Sequence, residues 1–208
     1  LLVSDAPFRS GQQQFLIQRV GKVKWILGQF LFIALLSAAY ALFLWVLSWI
    51  FLLPELEWSL GWGAVLRTGA KLQNYGAYSG LRLEYAIMKN LSPLAAAAWV
   101  FGMMVGVLTF MGGITVFCNL FVHQGVGTAV NMLMLLLYLV IQFQTYGKRF
   151  LLWVSPVSWM NLALVGHRNQ NLPSYAFAAA ATVGLCLLLG SITVLQIHKS
   201  NLVVERGE

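Results

Sequence analysis

Of the chain's 208 residues, 60% are hydrophobic and 9% are charged, and the mean hydropathy is +0.77. A soluble domain lies nearer about 45–50% apolar and about 25% charged, so a water-soluble single domain is excluded and the solvent that fits is lipid. The net charge of +7 does not point to nucleic acid, because the 13 basic residues are spread over separate segments between apolar blocks instead of forming one face. Membrane anchoring accounts for them better. Cys118 and Cys186 each lie inside an apolar run with no second Cys or His at ligand spacing. Neither a disulfide framework nor a zinc site is expected.

The chain opens Leu1-Leu2-Val3, with no initiator Met and no signal-peptide pattern; an upstream portion is expected. Residues 4–24 (SDAPFRSGQQQFLIQRVGKVK) are too polar to cross a bilayer. After the turn-like Asp5-Ala6-Pro7-Phe8, the stretch Gln12 to Val20 can form a short helix with Phe15, Leu16 and Val20 on its apolar side. Such a helix either lies among lipid headgroups or docks on a soluble partner, and its periodicity does not choose between the two.

A bilayer core of about 30 Å requires about 20 apolar helical residues, each rising about 1.5 Å. Uncharged runs of that length predict four spans, near 25–53, 94–118, 126–146 and 174–197. The first is longer than a minimal crossing, which allows tilt. The second and third share one uncharged run of 58 residues, Asn90 to Gly147, divided at NLFVHQGVG (119–127), where His123, Gln124 and two glycines interrupt the apolar pattern. The last ends before His198 and Lys199, which read as an interfacial stop.

Residues 54–93 mix four basic and three acidic residues with Trp58, Trp62, Tyr75, Tyr78 and Tyr85, the composition of an extramembrane segment at headgroup level. Residues 150–165 (FLLWVSPVSWMNLALV) are apolar but short, and Pro156 removes a backbone donor near their middle. A re-entrant or interfacial helical hairpin anchored by Trp153 and Trp159 is expected there rather than a fifth crossing. Four spans put both ends on one side, where six basic residues face seven on the other. The cluster Arg19, Lys22, Lys24 beside the first span tips the ends, including the tail 198–208, toward the cytoplasm.

Catalytic signatures are missing from the sequence. It has no phosphate-cradling GxxxxGK[ST], its three histidines stand 44 and 31 residues apart with no HExxH, and Gly76-Ala77-Tyr78-Ser79-Gly80 has the wrong spacing for a nucleophile elbow. All six acidic residues fall outside the spans, which disfavours proton or cation coupling. The mild polar residues within them, Ser37, Ser48, Thr109, Thr115, Thr128, Asn131, Thr182, Ser191 and Thr193, are read as backbone-bonding or helix-packing groups, and Gly102 with Gly106 and the row Ala176, Ala180, Gly184 as weak candidates for close helix approach.

The entry Arg19, Gly21, Lys22, Trp25, Gly28, Gln29, followed by spans and then a broken apolar hairpin with Ser155-Pro156 and Trp159 before a last span, resembles the permease subunits of ABC-2 type exporters along nearly the whole chain. The resemblance implies an all-α membrane protein: four transmembrane helices plus a re-entrant helical hairpin, the C-terminal part of a six-span permease that lacks its first two spans here. It further implies a dimer with a second permease, driven by separate cytoplasmic ATPase subunits that bind the ATP and magnesium, in a cell membrane, expected to be the bacterial cytoplasmic membrane. Residues 1–24 would then carry the coupling helix, with Pro7, Phe8, Gln14, Phe15, Gln18 and Arg19 at the ATPase docking surface, and 150–165 would cap the outer end of the pathway. The competing readings are a non-transporting membrane scaffold or assembly factor, an intramembrane enzyme and another kind of transporter.

Overall fold

A computed structural model of the chain describes residue 6 and residues 17–53, 61–73, 85–143, 149–166 and 172–199. The described residues are helical and contain no strand. In chain order the helices are α1 (Lys22–Leu52), α2 (Ala64–Gln73), α3 (Tyr85–Asn90), α4 (Pro93–Phe121), α5 (Val126–Phe143) and α6 (Arg149–Val154). Two 3-10 turns (Pro156–Met160 and Leu162–Leu164) and α7 (Tyr175–Lys199) complete the order.

Three helices, α1, α4 and α7, are long and apolar enough to cross a membrane. Their 31, 29 and 25 residues correspond to about 46, 43 and 37 Å at about 1.5 Å per residue, more than a hydrocarbon core of about 30 Å. Large apolar side chains stand exposed along them, among them Leu27, Leu31, Leu35 and Phe43 of α1 and Leu187 and Leu195 of α7. Such continuous apolar exposure is untenable in water and ordinary in lipid. The chain is a membrane protein.

Where the third of the four spans was expected, the described helix α5 covers 18 residues, about 27 Å. Residues 144–146 of the expected span lie outside the described residues. Conversely, α4 runs past the expected boundary at Cys118 to Phe121. The chain then turns through residues 122–125, with Gly125 at φ 90°, a conformation that L side chains rarely adopt.

α4 is the central helix. It packs along α1, α5 and α7 and receives the first 3-10 turn against its side. Its start is fixed by Ser92, whose hydroxyl accepts from the Ala95 N–H at 3.3 Å, and by Pro93 in the first turn. Glycines set the close approaches. A Cβ on Gly112 would lie 2.5 Å from Ile33 Cγ2 of α1, and one on Gly106 would lie 2.9 Å from Thr182 Cγ2 of α7. On α5, a Cβ on Gly127 would meet Thr115 Cα at 2.5 Å. Of the glycines flagged from spacing, only Gly106 serves this way; Gly102 and Gly184 face open space, and Ala176 and Ala180 are exposed. Spacing locates a small-residue stripe on a helix but not the direction in which the helix turns it.

Because Gly127 abuts backbone, which cannot rotate aside, Gly127→Ala is expected to push α5 off α4. Thermal unfolding in detergent should then show a loss of about 1–3 kcal/mol, whereas Gly184→Ala should be near neutral.

Candidate functional site

The near end of the bundle, where α1 begins, also holds the ends of α4 and α7 and the start of α5. There Trp25, Ile26 and Ile33 of α1, Val116 of α4 and Ile197 of α7 form a buried cluster that includes Ala6 from the polar opening segment. Ile17, Phe30, Leu120, Phe121 and Val194 pack around it. The opening segment is therefore seated against the helix ends at two points, Ala6 and Ile17.

Residues 17–20 make a helical turn that ends at Gly21. The Gly21 N–H donates to the Ile17 carbonyl at 2.9 Å, and the Trp25 N–H donates to the Gly21 carbonyl at 3.1 Å. Gly21 has φ 88° and ψ 147°, a region essentially closed to residues with a Cβ. It redirects the chain from this turn into α1. Of the residues expected to dock a partner, Gln18 and Arg19 lie on this turn with exposed side chains. Pro7, Phe8, Gln14 and Phe15 lie outside the described residues.

Asn119, buried in the last turn of α4, joins this arrangement. Its Nδ2 donates to the Ala6 carbonyl at 2.7 Å, and its Oδ1 accepts from the Gly125 N–H at 3.3 Å. Nearby, Asn131 of α5 donates to the Met111 carbonyl at 3.0 Å and to Thr115 Oγ1 at 2.9 Å. Sequence reasoning took Asn119 only as part of an apolar interruption. A lone amide closing a long apolar run was the available signal, but its partner stands 113 residues away.

At the far end, α6 stops at Ser155, and Pro156 opens the first 3-10 turn. Proline has no N–H to give the carbonyl four residues back, which here belongs to Leu152. The Trp159 indole N–H donates to that carbonyl at 2.7 Å. Trp159 is only 3% exposed and lies in a second cluster with Met103, Val107, Val157, Val165 and Ala178. The expectation that Trp159 is an interfacial anchor is thereby corrected, since an indole that repairs the backbone break must sit inside with it. Trp153 is 39% exposed and meets Phe177 edge-on at 4.9 Å between centroids. Trp99 Nε1 and Ser155 Oγ are buried with no hydrogen-bond partner among the described residues.

Between the two ends the polar residues are mostly self-satisfied. Ser48, Thr109, Thr115, Thr182, Ser191 and Thr193 each donate to the carbonyl four residues earlier, a local bond that leaves little for a ligand. Outside the bundle, the Trp62 indole donates to the Leu91 carbonyl at 2.7 Å, and Lys71 Nζ lies 5.6 Å from the Tyr85 ring centroid. Among the described residues no group of three His, Cys, Asp or Glu side chains gathers. His123 is exposed in the α4–α5 turn, and His198 is exposed at the end of α7; His167 lies outside the described residues. The features that could carry function are thus the near-end seat of the polar segment and the far-end segment broken at Pro156.

Comparison with protein-family models, with curated proteins and with solved structures finds no match.

Trp159→Phe keeps the ring but strands the Leu152 carbonyl. It is expected to lower unfolding stability by about 1–3 kcal/mol, the cost of an unsatisfied buried polar group, as read by thermal unfolding in detergent.

Proposed function

We propose that this chain is a permease subunit of an ABC-2 type exporter, working as a dimer with a second permease and driven by separate cytoplasmic ATPase subunits that bind ATP and magnesium. The observation that carries the reading is the seat of the polar opening segment: Ala6 and Ile17 pack into the cluster made by the near ends of α1, α4 and α7, while Gln18 and Arg19 remain exposed. A polar element fastened to helix ends yet presenting polar side chains outward has the form of a lever that a soluble motor can push.

Under this reading α5 belongs to the third of the four spans, and the near end lies in the cytoplasm of a bacterial cell. The hairpin broken at Pro156 closes the far end of a pathway between subunits. Catalysis is left to the ATPase, because the chain itself has no phosphate cradle. With no charged residue in the apolar interior of the long helices, the pathway suits an amphipathic, lipid-like or peptide cargo better than a small ion.

In the intact complex, Phe15→Ala and Arg19→Ala are each expected to weaken co-purification with the cognate ATPase about tenfold, about 1.4 kcal/mol, and to reduce stimulated ATP hydrolysis in parallel. Undiminished binding and turnover in the double variant would remove the docking assignment and favour a membrane scaffold.

A further inference from the structure

The segment that precedes α1 and the turn that joins α4 to α5 are far apart in sequence but share one side chain. Asn119 is buried and uses both ends of its amide: Nδ2 holds the Ala6 carbonyl at 2.7 Å, and Oδ1 holds the Gly125 N–H at 3.3 Å. Ala6 is itself 1% exposed, so this link is shielded from competing water, which makes it stiffer than a surface hydrogen bond.

On the α5 side the turn has little freedom to yield. Gly127 sits against the Thr115 backbone, and Asn131 bonds to Met111 and Thr115 across the helix pair. A displacement delivered to Ala6 therefore meets a rigid α4–α5 unit, with Asn119 as the hydrogen-bonded link between them.

We infer that Asn119 is a positioning residue that transmits displacement of the polar opening segment to the α4–α5 turn, so that the two near-end elements move as one body. The inference rests on the proposed docking of an ATPase on that segment and deepens it. It names the joint through which a push at the segment reaches a second helix pair, in addition to the direct path through Gly21 into α1. A leucine at position 119 would fill the same space and keep the helix, yet it could hold neither the carbonyl nor the N–H.

The experiment uses the full chain with its ATPase in lipid nanodiscs, in a background carrying Cys118→Ala and Cys186→Ala. Single cysteines are introduced at Val20 or at Gln124, both exposed, and labelled with an environment-sensitive fluorophore. The spectral shift is read on trapping with ATP and vanadate. With Asn119 present, both positions should shift. Asn119→Leu and Asn119→Ala should leave the shift at position 20 intact and reduce that at position 124 at least fivefold; the alanine variant serves if leucine overpacks the site.

A shift at 124 that survives either substitution overturns the inference, as does a wild-type shift at 20 with none at 124. Loss at both positions on substitution also overturns it, because Asn119 would then support docking rather than transmission. Absence of any wild-type shift at position 20 is the separate result that sinks the docking reading itself, and the inference with it.

Discussion

Backbone amides and carbonyls in hydrocarbon have no water to turn to, and among the described residues side chains answer that constraint at several helix ends. Ser92 takes an N–H at the start of α4. Asn119 takes the Gly125 N–H where the chain reverses into α5. Trp159 takes the Leu152 carbonyl that Pro156 leaves without a donor, and Asn161 takes the Ala163 N–H at the second 3-10 turn. At Asn119 and Trp159 the repairing side chain is itself buried, so there local helix breaks and tertiary contacts depend on one another. The points where the chain departs from regular helix become the places where distant segments are tied together.

The packing around α4 follows a related economy of atoms. With no hydrophobic drive between helices immersed in lipid, contact has to come from close van der Waals fit. Gly106, Gly112 and Gly113 open α4 toward α7 and α1, while Gly127 lets α5 lie on the backbone of α4. Aromatic contacts hold the far end: Trp45 with Phe101 between α1 and α4, and Trp99 with Tyr175 between α4 and α7. The near end mixes aliphatic side chains such as Ile26, Ile33 and Ile197 with Trp25, Phe30 and Phe121. Among the described residues, it is the near end that takes up Ala6 and Ile17 of the polar segment.

The all-helical, membrane-embedded character was legible in the sequence because uncharged runs long enough to cross a bilayer have few other uses. Glycine spacing flagged Gly102 and Gly184, which turned out to face open space, and passed over Gly112 and Gly113, because one-dimensional spacing carries no rotational phase relative to a neighbour. The roles of Asn119 and Trp159 escaped for a different reason. A buried amide or indole is defined by the partner it meets, and at the near end that partner is a carbonyl more than a hundred residues away. Of the docking residues expected, Gln18 and Arg19 lie among the described residues and the remaining four lie outside them.

The segment broken at Pro156 also constrains how the chain is made. Trp159 lodges among residues of α4 and α7, yet α7 is synthesised after it. When residues 149–166 emerge, the α7 side of the wall that will enclose the indole has not been built, and the enclosure cannot be completed until the final long helix has been made. The segment is therefore a late-closing element of biogenesis, seated by the arrival of the helix that follows it.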